Sequence, residues 1–275
     1  MTSSSQSTLG SVVALWRYPV KSMMGEELNA AEVADHGLRG DRAFALVDDA
    51  DGKVASAKNP RKWPRLFEFR AALAHAPADD AAPPPVLITL PDGTVVSSEQ
   101  PDVDRILSVA LERAVTLRAA VAARGTAEEY WPDIEGLDFR DTVTDFDLPE
   151  GTYFDAAVVH VLTTATLDRL RELYPRGRFE VRRFRPNIVV DTADRPDEFP
   201  ENDWNGRTLA IGDTLRLSVT GPCPRCVMTT LAQGDLPKDP GILRTAAQHN
   251  KVNVGAYAAV VRRGTVRRGD RVSLE

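Results

Sequence analysis

The chain is written in short apolar runs, each cut off by turn residues before it can lengthen into a helix. In the second half these runs are AAVVHVL, FRPNIVVD, TLAIG, TLRLSVTG, AYAAVV and RVSL. Runs of about four to eight apolar or alternating residues, bounded by Gly, Pro, Asp or Asn, read as strands. The first half repeats the pattern. SVVALWRYPVKS reads as a strand entering a Pro-terminated turn. RAFALVDD, then Ala50-Asp51-Gly52, then KVASA reads as a strand, a turn and a returning strand. RLFEFRAALA is a further predicted strand. VLITL, Pro91-Asp92-Gly93 and TVVSS form a hairpin signal, and PADDAAPPP, from Pro77 to Pro85, a loop. Helices are few. Val103, Ile106, Leu107, Ala110 and Leu111 share one helical face, with Pro101 at a tolerated first-turn position. Thr163 and Thr164 can cap a helix carrying Leu167, Leu170 and Leu173. The expected class is α+β, strand-rich and barrel-like.

The chain's 275 residues allow one large domain or two modest ones. Its two cysteines cannot build a disulfide scaffold, a four-thiolate cluster or an all-cysteine zinc site. A net charge of −6 argues against a general nucleic-acid surface. No run approaches the roughly 20 apolar residues of a membrane span. The polar start MTSSSQSTLG lacks a basic, then apolar, leader, and residues 1–9 read as a disordered lead-in. The expectation is a cytoplasmic monomer with no membrane partner. From Glu128 to Glu150 acidic residues dominate, with Arg140 the one basic residue. This reads first as a solvated connecting segment. Tyr130, Trp131, Phe139 and Phe146, interleaved, allow an ordered lid or docking surface instead.

Four features could carry chemistry. The sharpest is GPCPRC, Gly221 to Cys226. A zinc half-site has weak support, since the four histidines are scattered. A thioredoxin-like pair lacks its βαβ context. One thiolate as a soft metal ligand, with Arg225 favouring ionisation, and two inert buried cysteines both remain open. The second is the run RGRFEVRRFRPN, with Arg176, Arg178, Arg182, Arg183 and Arg185: a solvated face or an anion site. On a strand, Arg185 and Asn187 would face the same side. The third is Tyr18-Pro19-Val20-Lys21-Ser22 with Gly40-Asp41-Arg42, a possible phosphate or polar-ring clamp. The fourth is the VLTTATL step at Thr163–Thr164, which reads first as plain N-capping and second as an anion cradle. No P-loop, GxGxxG, HExxH or GxSxG motif is present, so a Rossmann dehydrogenase or serine hydrolase has no support.

Together these segments resemble a MOSC-domain protein with its N-terminal β-barrel domain, the group that includes the mitochondrial amidoxime-reducing component and bacterial reductases of N-hydroxylated bases. The match runs through LWRYPVKSMMGEELNAAEVADHGLRGDRAFALVDDADG, FRPNIVVD, FPENDWNGRTLAIGDTLRLSVTGPCPRCVMTT and GAYAAVVRRGTVRRGDRV. The resemblance implies an N-terminal β-barrel-like domain at 10–125 and a MOSC domain at 126–275. It implies a molybdenum cofactor, a pterin with a dithiolene and a phosphate, in a cleft between them. Cys226 would be the catalytic thiolate on the metal. Lys21, Ser22, Arg42, Thr163, Thr164, Arg185, Asn187, Pro224 and Arg225 would hold the cofactor. Pro224 departs from an ideal cradle because it has no N–H to offer. Cys223 would be a bystander.

The activity so implied is reduction of N-hydroxylated or N-oxide-type small molecules by oxygen transfer to the metal. Electrons would come from a separate reductase or small redox protein. Two alternatives stand beside it: a cofactor or sulfur carrier with a persulfide on Cys226, and a non-catalytic cofactor-binding module. Pyridoxal phosphate binding, associated with the family at large, finds no lysine in a Schiff-base setting here.

Overall fold

The computed structural model describes residues 7–78, 82–120, 125–192 and 199–275. Residues 1–6 of the expected lead-in and 79–81 of the Pro77–Pro85 loop lie outside them, and residues 7–9 of that lead-in are not disordered but open a strand. In chain order the strands are β1 (Ser7–Arg17), β2 (Glu26–Leu28), β3 (Ala30–Ala34), β4 (Gly37–Leu38), β5 (Phe44–Asp48), β6 (Arg70–Leu73), β7 (Val86–Thr89), β8 (Val95–Ser97) and β9 (Val115–Ala119). They continue as β10 (Thr126–Trp131), β11 (Thr142–Asp147), β12 (Val159–Thr163), β13 (Ile188–Thr192), β14 (Thr208–Ile211), β15 (Leu215–Pro224), β16 (Asn253–Arg262), β17 (Gly264–Arg267) and β18 (Arg271–Leu274). The helices are α1 (Val103–Leu111), α2 (Thr164–Leu173), α3 (Val181–Phe184) and α4 (Gly241–Asn250).

Seven strands close a barrel in the order β13-β12-β16-β15-β14-β18-β1, the β1–β13 pairing completing the circle. Closure removes sheet edges that would otherwise offer unpaired backbone groups. Its interior is aliphatic: Val12, Leu15, Val161, Ile188, Leu217 and Val272 are among the fully buried side chains. The strand β1 is therefore a stave of the barrel built by the chain's second half. Of the rest of the N-terminal half, β2 pairs with β1, β3 and β4 form a sheet with β17, and β5-β9 and β6-β7-β8 form small sheets around a second core that includes Trp63, Phe67, Phe69 and Leu107. Helices α2, α3 and α4 cover the barrel through Leu167, Leu170, Phe184 and Ile242. Among the described residues no helix is long and apolar enough to cross a membrane.

Several local expectations change. RLFEFRAALA is not one strand: a 3-10 turn over Leu66–Glu68 sends Leu66 and Phe67 into the core before β6 begins. KVASA does not return as a strand. Only Val54 bridges its neighbours, and then Ser22 Oγ accepts the Ala57 N–H at 3.0 Å while the Lys58 carbonyl accepts from Tyr130 N–H at 2.8 Å. These bonds divert Ser56–Asn59 from sheet pairing. FRPNIVVD is split, because Arg185 caps α3 in the left-handed region and the strand starts only at Ile188. Pro101 stands outside the first turn of α1, ahead of the N-cap Asp102. The acidic stretch 128–150 is an ordered hairpin, β10–β11. Its acids face basic residues of the N-terminal half: Glu128 pairs with Lys53 at 3.0 Å, and Glu129 with Lys58 at 3.1 Å.

Candidate cofactor cleft

A cleft of about 90 Å³ opens where the N-terminal half meets the mouth of the barrel. Lys21 and Ser22 reach it from the turn after β1, Arg42 from the turn before β5, and Arg185 and Asn187 from the link between α3 and β13. Pro224, Arg225 and Cys226 reach it from the end of β15. Ser22, Arg42 and Arg185 all have positive φ, at 64°, 49° and 53°. Non-glycine residues rarely hold that conformation, and such strain is kept where the surroundings enforce it.

Buried contacts across the two halves fix the walls. Asn187 Nδ2 donates to Asp41 Oδ2 at 2.8 Å, and its Oδ1 accepts the His160 N–H at 3.1 Å. Asp41 also accepts the Tyr18 N–H at 2.7 Å and pairs with Arg42. Arg185 donates to the Met23 carbonyl at 2.6 Å, and its guanidinium lies 4.1 Å from the Tyr18 ring centroid. Arg42 lies 4.6 Å from the same centroid, so both cations stack on the Tyr18 ring. Lys21 Nζ donates to the Tyr153 carbonyl at 2.9 Å and pairs with Asp155.

Five cations, Lys21, Arg42, Lys58, Arg185 and Arg225, line the cleft against one carboxylate, Asp155. Burial works to raise the Asp155 carboxyl, but Lys21 and Lys58 outweigh it and hold it well below the usual carboxylate range. Burial lowers the Lys21 ammonium, with Asp155 opposing. His160 is buried and pushed well below the ordinary imidazole value, so it stays neutral. Burial pushes the Cys226 thiol up to about 11; Glu129 adds to the rise, and Lys58 and Arg225 only partly oppose it. Arg225 does favour the ionised form, as the sequence reading has it, but burial and Glu129 outweigh it in the free thiol. The guanidinium is spent elsewhere, donating to Cys223 Sγ and to the Phe184 carbonyl. Cys223 itself is fully buried in β15.

Thr163 and Thr164 are not brought to the cleft. Thr163 caps α2 by accepting the Thr166 N–H at 3.1 Å. The buried carboxylate of Glu201 already fills this helix start, accepting from Thr163 N–H at 2.7 Å and Thr163 Oγ1 at 2.9 Å. Thr164 donates to Asp191 at 2.6 Å. The anion cradle expected at this step is closed by the protein's own acid. The arginine run also divides. Arg178 and Arg182 pair with Glu180 and Asp235. Arg183 is wholly buried and donates to four backbone carbonyls, among them Thr229 and Pro237. Only Arg185 of the run reaches the cleft.

Lys58, Asp155, His160 and Tyr257 also line it and were not singled out from the sequence. Lys58 sits just after the segment KVASA that reads as a returning strand, and Asp155 just ahead of a buried strand. A charged residue beside such a run was the available signal. His160 depends on Gly255: a Cβ there would lie 2.3 Å from His160 Nε2, and φ is +85°.

The family model described as the MOSC domain matches residues 149–273, and that described as the MOSC N-terminal beta barrel domain matches 9–123. Mitochondrial amidoxime reducing component 2 of Macaca fascicularis is 26% identical over 81% of this chain and 67% of its own length. Mitochondrial amidoxime-reducing component 1 of Mus musculus is 26% identical over 97% of this chain and 82% of its own. Molybdenum cofactor sulfurase 3 of Aedes aegypti is 36% identical over 30% of this chain and 10% of its own length. Among solved structures, the YUAD protein of Bacillus subtilis covers 98% of this chain and 97% of its own at 12% identity, with a TM-score of 0.49. The chain is a member of the MOSC family, with its N-terminal β-barrel domain, and a homologue of the mitochondrial amidoxime-reducing components.

Proposed function

We propose that the cleft holds a molybdenum cofactor with Cys226 as the protein thiolate on the metal, and that the chain is an oxidoreductase acting on N-hydroxylated or N-oxide-type small molecules. The observation that carries this reading is one thiol set beside four anchored cations, Lys21, Arg42, Arg185 and Arg225, in a single cleft. A pterin with a dithiolene and a phosphate is a multiply charged anion, and that cation excess suits it. Two buried polar atoms, Nε of the cleft-lining Arg225 and the hydroxyl of Tyr18 beneath Arg42 and Arg185, have no hydrogen-bond partner among the described residues. Such orphans are costly, and a polar ligand would satisfy them.

When bound, the cofactor supplies two-electron chemistry that removes an oxygen atom, the substrate taking up two protons to leave the N–H product and water. The chain's residues bind and orient. Lys21, Arg42 and Arg185 supply fixed positive charge, and Ser22 and Asn187 supply polar contacts. Cys226 would hold the metal as its thiolate, having given up the proton it carries when free. Electrons come from a separate reductase or small redox protein.

The test is direct. The protein is purified from a host that makes molybdenum cofactor, and bound molybdenum and pterin are measured for wild type and Cys226→Ser. Near-stoichiometric metal in the wild type, lost in the variant, supports the reading. Pterin without metal, or a persulfide trapped on Cys226, favours a carrier instead. Neither metal nor pterin in the wild type overturns both.

A further inference from the structure

We propose that Lys58 is a substrate-binding residue whose ammonium donates to a carboxylate or similar anionic oxygen, so that this chain favours anionic N-hydroxylated substrates. The inference rests on the cofactor reading of the Cys226 cleft.

The argument comes from how the cleft's cations are occupied. Lys21 is held by Tyr153 and Asp155. Arg42 is held by Asp41 and Arg185 by Met23, both over Tyr18. Arg225 is held by Cys223 and Phe184. Lys58 differs. Among the described residues its ammonium makes one hydrogen bond, to Glu129 Oε2 at 3.1 Å. Asp155 Oδ2 lies 3.6 Å away, an ion pair beyond hydrogen-bond reach. An ammonium has three donors, so two remain for a ligand.

Its placement suits that role. The side chain is 15% exposed, so most of its hydration is already lost. It lines the same cleft as Cys226. The Phe146 ring centroid lies 4.5 Å from Nζ, and Met228 shares the cleft lining, giving an organic substrate an apolar border beside the cation. Glu129 aims the ammonium without saturating it. A flexible lysine stem lets the point charge follow ligands of different size, which the anchored guanidinium groups cannot do.

The experiment uses cofactor-loaded wild type, Lys58→Met and Lys58→Arg. Lys58→Gln serves as a second neutral variant that can still hydrogen-bond Glu129. Bound molybdenum is measured first. Benzoate, an unreactive carboxylate, is then titrated calorimetrically. KM is compared for benzamidoxime and 4-carboxybenzamidoxime with reduced methyl viologen as donor. The expected result is unchanged metal in every variant and about tenfold weaker benzoate binding in both neutral ones. KM for the carboxylated substrate rises about tenfold, KM for the neutral one changes less than about twofold, and arginine restores both. No benzoate binding by the loaded wild type, or equal effects on the two substrates, overturns the inference while leaving the cofactor reading intact. A wild type without metal overturns that reading instead.

Discussion

Asn187 Nδ2 and Asp41 Oδ2 meet at 2.8 Å although 146 positions separate them in the chain. Both side chains are buried. The same asparagine holds the His160 backbone, and the same aspartate holds Tyr18 and Arg42. One contact thus sets the position of cleft residues from both halves of the molecule.

Asn187→Ala should therefore cost about 2–3 kcal/mol of stability, because it leaves a buried carboxylate oxygen and a buried N–H short of partners. Urea denaturation of the two proteins measures it. A loss below about 0.5 kcal/mol would show that water replaces the amide without penalty.

Cys223 and Cys226 should separate cleanly. Cys223 lies inside β15 with its sulfur taken by Arg225, whereas Cys226 borders the cleft. Cys223→Ser is expected to keep most bound molybdenum, and Cys226→Ser to lose it. Equal loss from both, by elemental analysis, contradicts the assignment of a single ligand.

Gly255→Ala should destabilise by about 2 kcal/mol or more, since alanine is strained at positive φ and its Cβ would collide with neighbouring atoms. The collision would be with His160 Nε2 at 2.3 Å and the Val161 carbonyl at 2.6 Å. Thermal unfolding reports it, and an unchanged Tm would mean that β16 shifts freely away from β12.

His160 should impose an acid-side loss of stability. Its folded pKa lies well below the unfolded value, because burial penalises the charged ring. The unfolded chain then binds a proton that the folded one refuses. The contribution is constant above the unfolded pKa of about 6.5 and falls away below it, by up to about 1.4 kcal/mol per pH unit. His160→Gln should flatten the stability profile between about pH 6 and pH 5, read from denaturant midpoints. A variant that keeps the wild-type slope would assign it to other groups.

The β10–β11 hairpin should loosen when its charge hub is removed. Glu128 faces Lys53, Asn59 and Lys62 at 3.0, 3.0 and 3.4 Å. Glu128→Gln should cost about 1 kcal/mol or less overall, because such pairs are partly solvated. Hydrogen exchange across Thr126–Asp147 should quicken more than exchange in the barrel strands. Equal protection in both proteins would show that Ala127 and Leu148, packed beneath, hold the hairpin alone.

Much of this was legible from local pattern. The strands that became β7, β8, β12, β14, β15, β16 and β18 carry alternating or fully apolar runs, and that periodicity reports a face to be buried. The helix at Val103–Leu111 follows from its apolar spacing, and the Thr163 cap from its hydroxyl. Lys21, Ser22, Arg42, Arg185, Asn187, Arg225 and Cys226 are residue types suited to an anion and a soft metal, Pro224 is added by the family resemblance alone, and all of them line one cleft.

Local pattern could not report long-range competition for partners. Thr163–Thr164 resembles an open anion cradle until Glu201, 38 positions away, is found filling it. KVASA resembles a returning strand until Ser22 claims the Ala57 N–H and Tyr130 the carbonyl of Lys58 just beyond it. The Cys226 thiol resembles an activated one until burial and Glu129 are weighed against Arg225 and Lys58. Residue type and spacing determined which elements form and which groups have the right chemistry. Only the closure of β1 onto β13 decided which of those groups share a cleft, because burial and hydrogen-bond partnership depend on what the folded chain brings alongside.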